Sequence, residues 1–153
     1  MQLKEVSEQE SLNQCTYLKN TLAENGFDQY EISNFSKEGF ISKHNSAYWL
    51  GKPYLGLGPS AHSYNGDSRS WNVANNALYV SKLKSGELTQ EIEALTQKDK
   101  FNDYILTRLR TIWGITKVDL EKLSVGLDMT AFFKEKERHL IAGNLLEDNE
   151  KFF

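Results

Sequence analysis

The sequence predicts an α/β or α+β chain of two units: the last αβ portion of a larger barrel over residues 1–86 and a small winged-helix-like unit over residues 87–153. In the first unit a helical pattern, a glycine stop and a strand pattern follow one another, the order typical of an αβ unit. Three helical patterns and a terminal hairpin pattern make up the second unit. The polar stretch of residues 86–97 lies between them and predicts the boundary.

The first unit opens with apolar residues at three- and four-residue spacing, which predict an amphipathic helix over residues 7–24. Cys15 lies on the apolar side of this helix and is predicted to be buried. Gly26 predicts a left-handed stop, and alternation over residues 27–35 predicts a strand. Residues 54–63 predict a second strand that leads into a turn at Gly58 and Pro59. A helix is expected over residues 70–85, ended by Gly86.

The second unit begins with a strong helical stripe over residues 101–112, formed by Phe101, Tyr104, Ile105, Leu109 and Ile112. Thr116, with Asp119 three residues later, predicts the N-cap of a short helix that Gly126 ends. In the third helical pattern four residues share one face: Phe133, Leu140, Ile141 and Asn144. Asp148 and Asn149 predict the turn of a terminal hairpin.

Composition excludes several classes of protein. The 153 residues carry 18 Lys and Arg against 21 Asp and Glu, a net charge of −3, which argues against strong non-specific attraction to nucleic acid or anionic membranes. No apolar run approaches the roughly 20 residues that span a bilayer, so we expect a soluble cytoplasmic protein without a transmembrane segment. A single cysteine excludes an intrachain disulfide, a zinc ribbon and a cluster held by this chain's own thiolates.

The segment of residues 42–66 is the most informative part of the chain. It holds two histidines, four glycines, both prolines and the adjacent pair Tyr48 and Trp49. A connector needs glycine and proline for turns, but it does not need imidazoles beside aromatic rings. His44 is suited to bind haem iron, and Tyr48 and Trp49 to cover a porphyrin face, although a structural role for His44 stays open. Glu31 and Asn34 are expected to face the same mouth.

Other residues of this segment have simpler interpretations. Gly56 and Gly58 resemble a phosphate cradle, but the segment lacks the lysine of a Walker loop and the third glycine of a dinucleotide fingerprint, so a turn role is favoured. His62 follows that turn, where a core or supporting role is as reasonable as ligation. His139, within a helical pattern of charged and apolar residues, is expected at a partly exposed boundary.

A winged helix raises the question of DNA binding, which the local charge argues against. Residues 99–153 contain nine Lys and Arg against ten Asp and Glu. Phosphate neutralisation dominates affinity for duplex DNA, so a unit without a basic surplus is poorly suited to it. We therefore expect protein contacts, or a cover over the barrel mouth, for this unit.

The stretch GFDQYEISNFSKEGFISKHNSAYWLGKPYLGLGPSAHSY resembles the oxygen-independent coproporphyrinogen III oxidase-like family of radical SAM proteins, and within it the haem-chaperone branch. The motif H-N-x-x-Y-W stands at residues 44–49, and Tyr-Glu-Ile-Ser-Asn at residues 30–34. The resemblance covers most of the chain. Ser60 departs from it, since glycine is expected there in many relatives.

This resemblance implies a radical SAM barrel followed by a small C-terminal domain of the type that this oxidase family carries. It also implies a [4Fe-4S] cluster and S-adenosylmethionine, bound through a C-x-x-x-C-x-x-C motif that this chain lacks. We therefore expect a C-terminal fragment that has no catalytic residue and no enzyme activity alone.

The haem-chaperone branch implies haem binding and delivery to haem proteins, with His44 as the iron ligand. The alternative is the true oxidase, which decarboxylates coproporphyrinogen III in porphyrin biosynthesis and lacks the H-N-x-x-Y-W motif. Expected partners are haem or porphyrin, haem-accepting proteins and a second copy in a homodimer, without nucleic acid. The candidate haem-binding residues are His44, Asn45, Tyr48 and Trp49, with Gly56, Gly58 and His62 beside them.

Overall fold

The computed structural model describes residues 6–88 and 90–153, and these ranges contain six helices and seven short strands. The helices are α1 (Glu8–Glu24), α2 (Lys43–Trp49), α3 (Asn76–Lys84), α4 (Gln97–Arg108), α5 (Lys117–Ser124) and α6 (Thr130–Ile141). The strands are β1 (Asp28–Gln29), β2 (Phe35–Ser36), β3 (His62–Tyr64), β4 (Ser68–Asn72), β5 (Gln90–Ala94), β6 (Ile115–Thr116) and β7 (Lys151–Phe152). No helix within these ranges is long and apolar enough to span a membrane.

Helix α1 confirms the first predicted helix, but its environment differs from the prediction. The Ser7 side chain caps it by accepting from the Glu10 N–H, and Gly26 ends it with a φ of +77°. Cys15 is exposed, and Leu12 and Leu18 are at least half exposed, so the prediction of a buried cysteine was wrong. On the predicted apolar face of α1, only Leu22 at the end of the helix is half-buried among the described residues. Residue 7, where the predicted helix begins, is the N-cap of α1. Residues 1–5 of the first predicted unit lie outside the described residues.

The strand expected over residues 27–35 is instead a small hairpin. Strands β1 and β2 pair antiparallel, with Gln29 opposite Phe35. The Glu31 carboxylate accepts from the Ser33 N–H and from the Asn34 amide, which folds the chain back within its own loop. Since every strand pairing among the described residues is antiparallel, the expected parallel αβ unit is not present there.

The middle of the chain forms a three-stranded antiparallel sheet in the order β3–β4–β5. The turn at Gly58 and Pro59 is confirmed, but the strand follows it as β3 instead of preceding it. Residues 70–72, expected at the start of a helix, lie in β4, and α3 begins only after its cap at Asn75. Strand β5 lies inside the stretch expected to divide the two units and pairs along the whole of β4.

The main core lies in the C-terminal part of the chain. Phe101, Ile115, Leu120 and Phe152 are its buried members, and half-buried residues of α4, α5 and α6 pack around them. The predicted α4 stripe is confirmed at Phe101, Tyr104 and Ile105, whereas Leu109 and Ile112 lie beyond the helix and are about half exposed. On α6 the core side is occupied by Phe132, and Phe133 and Ile141 are exposed, so the predicted face was wrong.

Turn chemistry in this part follows the sequence closely. The Thr116 hydroxyl accepts from the Asp119 N–H at the start of α5, as predicted. The terminal hairpin is also confirmed, because the Asp148 carboxylate accepts from the Glu150 and Lys151 N–H groups at 2.7 Å. Strand β7 then pairs with β6, which joins the hairpin to the start of α5.

Two main-chain hydrogen bonds connect the N-terminal hairpin to the segment after α4. The Ile32 N–H donates to the Arg110 carbonyl and the Ile112 N–H to the Tyr30 carbonyl, each at 3.1 Å. Glu31 thereby pairs with Thr111 in an antiparallel bridge. We call residues 30–32 and 110–112 the junction.

Candidate functional site

Helix α2 holds the motif that the sequence singled out. The Ser42 hydroxyl caps it by accepting from the Asn45 N–H, and Gly51, with a φ of +65°, ends it. His44 and Tyr48 are four residues apart and therefore share one face. Their ring centroids are 5.0 Å apart and nearly perpendicular, and the exposed His44 imidazole makes no hydrogen bond to another described residue. His44 therefore stands beside an aromatic ring on the exposed face of α2.

A row of aromatic rings continues from this histidine towards the sheet. Tyr48 meets Tyr54 edge-on with centroids 4.7 Å apart, and Tyr54 lies 6.2 Å from Tyr64. Burial, followed by the neighbouring Tyr48 phenol, raises the pKa of Tyr54. The phenol of Tyr54 is therefore a neutral hydrogen-bond donor at physiological pH.

Asn45 positions α2. Its side-chain amide donates to the hydroxyl of Tyr30 at 3.3 Å, and Tyr30 is 3% exposed. Tyr30 also packs at 6.5 Å from the ring of Trp113. The motif helix is thereby attached to the junction, close to where the N-terminal hairpin meets the segment after α4.

Trp49 presents a polar atom without a partner. Its indole N–H is buried, and neither it nor the buried Ser46 hydroxyl forms a hydrogen bond within residues 6–88 and 90–153. The Arg110 guanidinium lies 6.0 Å from the indole ring centroid. A buried donor without a partner is uncommon in a folded protein.

Tyr48 and Trp49 form part of the wall of a pocket of about 410 Å³. One wall is the end of α2, and a second is made by Tyr54, Tyr64 and Arg69 of the sheet region. The third wall is a polar face of α4, whose members recur at helical spacing: Lys100, Asp103, Tyr104, Thr107 and Arg108. We call this space the α2–α4 pocket.

Ion pairs neutralise two of the cations around the α2–α4 pocket. Arg69 pairs with Asp103, and the hydrogen bond that Arg69 donates to this carboxylate raises the pKa of Arg69. Lys100 pairs with Asp67 at 2.6 Å, and its hydrogen bond lowers the pKa of the Asp67 carboxyl. Arg108 forms no ion pair with a described carboxylate and instead lies over the Tyr104 ring at 5.4 Å.

The other sequence candidates lie outside the walls of this pocket. His62 is exposed on β3, with its ring 6.0 Å from Trp71, and His139 lies on α6 beside Arg138. A Cβ at Gly56 would overlap the main chain of His62, and the Gly56 and Gly58 carbonyls both accept from the Asn72 amide. These glycines therefore build the turn, as favoured from the sequence.

The expectation for Glu31 and Asn34 was wrong. Their side chains bind each other in the loop of the N-terminal hairpin, and the Glu31 carboxylate is buried there at 4% exposure. Neither lines the α2–α4 pocket. A carboxylate three residues from an asparagine in a short loop is a common turn arrangement, which is why this spacing is a weak indication of a site.

Sequence reasoning missed the two walls of the pocket that lie far from the motif. Arg69 is an isolated cation in a short strand, and no local pattern distinguishes it. The α4 face did leave a signal, since its five residues repeat at three- and four-residue spacing as a polar stripe beside the apolar one, and Tyr104 belongs to both. No group of His, Cys, Asp and Glu suited to hold a metal ion occurs within the described part of the chain.

Curated relatives from several bacteria are named "Heme chaperone HemW". The one from Bacillus subtilis (strain 168) is 30% identical over 126 residues, which cover 82% of this chain and 33% of the relative. The one from Lactococcus lactis subsp. lactis (strain IL1403) is 32% identical over 109 residues, covering 71% and 28%. The chain therefore spans about a third of the length of these two relatives.

Two further comparisons extend this similarity. The protein named "Radical S-adenosyl methionine domain-containing protein 1, mitochondrial" from Mus musculus is 29% identical over 142 residues, covering 85% of this chain and 32% of the relative. The solved structure of coproporphyrinogen III oxidase (HemN) from Escherichia coli, a radical SAM enzyme, aligns with a TM-score of 0.67 over 96% of this chain and 38% of that chain. At 18% identity this last likeness concerns the fold alone. No family model matches the chain.

Proposed function

Because this chain is a homologue of the radical SAM proteins named Heme chaperone HemW, we propose that it supplies the haem-binding part of such a protein. Haem is the cargo in this proposal, and haem-accepting proteins of the cytoplasm are its recipients. The observation that carries the proposal is the exposed imidazole of His44, edge-on to Tyr48 and without a competing hydrogen bond among the described residues. An imidazole that is free to bind is a good axial ligand for haem iron.

The surroundings of His44 fit a flat apolar ligand. Tyr48 and Trp49 follow it on the same short helix, and both line the α2–α4 pocket. Aromatic rings of this kind bury a large apolar area against a flat ligand. In the proposal His44 binds the iron, Tyr48 and Trp49 contact the macrocycle, and Asn45 holds α2 in place through Tyr30.

The C-terminal unit has a supporting role in the proposal. We assign residues 87–153 as a winged-helix-like unit made of α4, α5, α6 and the β6–β7 pair, which covers one side of the pocket through α4. Its balance of nine basic against ten acidic residues over residues 99–153 supports a contact role over DNA reading.

The radical SAM group itself does not fit the residues present. A [4Fe-4S] cluster needs several thiolates, and the single cysteine of this chain is exposed on α1. We therefore assign no catalytic residue to these 153 residues and derive no chemical step for them. Binding of the cluster and of S-adenosylmethionine is expected of other parts of a full-length relative.

The proposal predicts that His44 dominates haem binding. Titration of the chain with hemin should give a shifted Soret band, and His44→Ala should remove the shift and weaken binding about tenfold or more, because the axial nitrogen is lost. The measurement is the Soret maximum and the dissociation constant from absorbance titration.

The matched controls are the two other histidines. His62→Ala and His139→Ala remove imidazoles on β3 and α6, whereas His44 lies on α2 beside Tyr48, so both control variants should bind hemin like the parent. If His44→Ala keeps the parent's Soret maximum and affinity, His44 is not the iron ligand.

A further inference from the structure

The α2–α4 pocket has an aromatic lining and also charged side chains, for which iron binding by His44 gives no role. Its lining contains three cations, Arg69, Lys100 and Arg108, and a single carboxylate, that of Asp103. Arg69 and Lys100 are paired with carboxylates, so the charge of Arg108 is the one left for a ligand within the described part of the chain. The excess of positive charge indicates a ligand that carries negative groups at its edge.

Arg108 is the cation best placed to meet such a group. Arg69 and Lys100 already pair with Asp103 and Asp67, whereas Arg108 pairs with no carboxylate in the described part of the chain. A guanidinium offers parallel N–H donors that match a carboxylate in a bidentate arrangement.

The support beneath Arg108 is fixed. Its guanidinium lies over the Tyr104 ring, and the Tyr104 hydroxyl accepts from the Thr116 N–H at 3.0 Å and donates to Asp119 at 3.4 Å. These bonds hold the ring in one orientation, so the guanidinium stacks on a rigid platform. Less conformational freedom is lost when it binds an anion.

The opposite wall supplies neutral donors. The hydroxyls of Tyr48 and Tyr54 line the same pocket and make no hydrogen bond with other residues that the structure describes. His44 lies one helical turn before Tyr48, about 6 Å along the axis. A ligand held at His44 can therefore reach the pocket with its edge.

We infer that the α2–α4 pocket binds the carboxylate side chains of a tetrapyrrole, with Arg108 as the group that pairs with a carboxylate. This inference rests on the proposed function, because it places the edge of the same ligand whose iron His44 binds. Arg108 is then a specificity-determining residue: it favours a porphyrin with free acid groups over one whose acids are masked.

The test uses iron-free porphyrins, so that it does not depend on ligation by His44. Protoporphyrin IX and its dimethyl ester are titrated against the chain, with quenching of tryptophan fluorescence as the readout. Arg108→Gln should weaken binding of the acid about tenfold, as expected for loss of a charge-assisted hydrogen bond, and leave binding of the ester unchanged. Arg108→Lys, which keeps the charge but not the planar fork, should lose less.

Arg138→Gln is the matched control, since it removes the same charge from an exposed site on α6, where Arg138 pairs with Glu135. It should bind both porphyrins like the parent. A misfolded Arg108→Gln chain would lose affinity for both porphyrins. Equal loss of affinity for the acid and the ester overturns the inference. It is also overturned if Arg108→Gln loses affinity for neither porphyrin, or if the parent does not bind the acid. Failure of His44 as ligand would show only in the hemin Soret band, which keeps the two proposals distinguishable.

Discussion

Ser60 adopts a backbone conformation that normally requires glycine. Its φ is +59°, and it is the one residue other than glycine in the left-handed region within residues 6–88 and 90–153. The residue lies in the turn where the sequence analysis expected glycine. Its N–H donates to the Val73 carbonyl at 3.2 Å, a bond that glycine would keep.

Replacement of this serine should stabilise the chain. The left-handed conformation costs a residue with a Cβ about 1–2 kcal/mol, a cost that glycine avoids. Glycine loses more conformational entropy on folding, which cancels about half of this benefit. Ser60→Gly is therefore expected to raise the free energy of unfolding by about 0.5–1 kcal/mol. Urea unfolding followed by circular dichroism measures this change.

A second serine provides the opposite control. Ser81 lies within α3 at negative φ, where glycine has a lower helix propensity, so Ser81→Gly should lower the free energy of unfolding by about 0.5 kcal/mol. A destabilised Ser60→Gly would mean that the turn depends on the serine side chain, contrary to the backbone argument.

At the scale of single elements, α4 depends on its first turn. The Thr96 hydroxyl accepts from the Asp99 N–H while the Asp99 carboxylate accepts from the Thr96 N–H, a complete capping box. Hydrogen bonds from the Thr96 side chain and main chain lower the pKa of Asp99. This carboxylate therefore stabilises the folded state above its ordinary pKa of 3.8, and the contribution is lost as the pH falls through the lowered folded value.

The capping box predicts a pH-dependent effect. Thr96→Ala should lower the free energy of unfolding by about 1 kcal/mol at neutral pH. Asp99→Asn should destabilise the chain at pH 7 and converge with the parent in strong acid, because the parent has then lost its carboxylate too. Urea unfolding at several pH values between 7 and 2 measures both, with Glu121→Gln on the exposed surface of α5 as a charge-matched control. A constant difference between Asp99→Asn and parent over this range would contradict the capping argument.

Elements with local signals were predictable from the sequence, and elements set by distant pairing were not. At the N-cap Thr116 and at the Asp148 turn, a side chain accepts a hydrogen bond from a main-chain N–H two or three residues later. A few consecutive residues therefore determine each feature. Residues 70–72, the last part of β4, were predicted as helix because they carry no alternation, and their strand state comes from pairing with β3 and β5.

The candidate site divides in the same way. His44, Tyr48 and Trp49 lie within six residues, so their cluster was visible in the sequence. Arg69 and Arg108 reach the same pocket through the sheet and α4, and the chain alone does not indicate that these elements meet. Phe132 replaced Phe133 in the core because one residue of shift on a helix rotates a side chain by about 100°, and adjacent phenylalanines leave the choice to packing.

At the scale of the whole molecule, much of the apolar side-chain surface faces solvent. Five hydrophobic residues are buried, whereas 23 large ones are exposed in the described part of the chain, among them Leu12 and Leu18 on α1 and Leu106 on α4. Exposed apolar area of this extent favours association.

We therefore predict self-association of the isolated chain. Sedimentation velocity should show an average mass that rises with concentration, and a mild non-ionic detergent should reverse the rise because it covers apolar surface. Reversal by salt instead would indicate ionic contacts, and a monomer at every concentration would contradict the prediction.

The junction has a consequence for how quickly a ligand can bind. Helix α4 is attached just after its C-terminal end by the main-chain bonds between residues 30–32 and residues 110–112. In its middle it is attached by the Arg69–Asp103 ion pair. Helix α2 is attached to Tyr30 by the hydrogen bond from Asn45. Separation of the two walls would break these bonds, so the bonds oppose widening of the opening. A thin ligand enters edge-first without waiting for a domain movement, and differences in affinity among such ligands should appear mainly in how fast they leave.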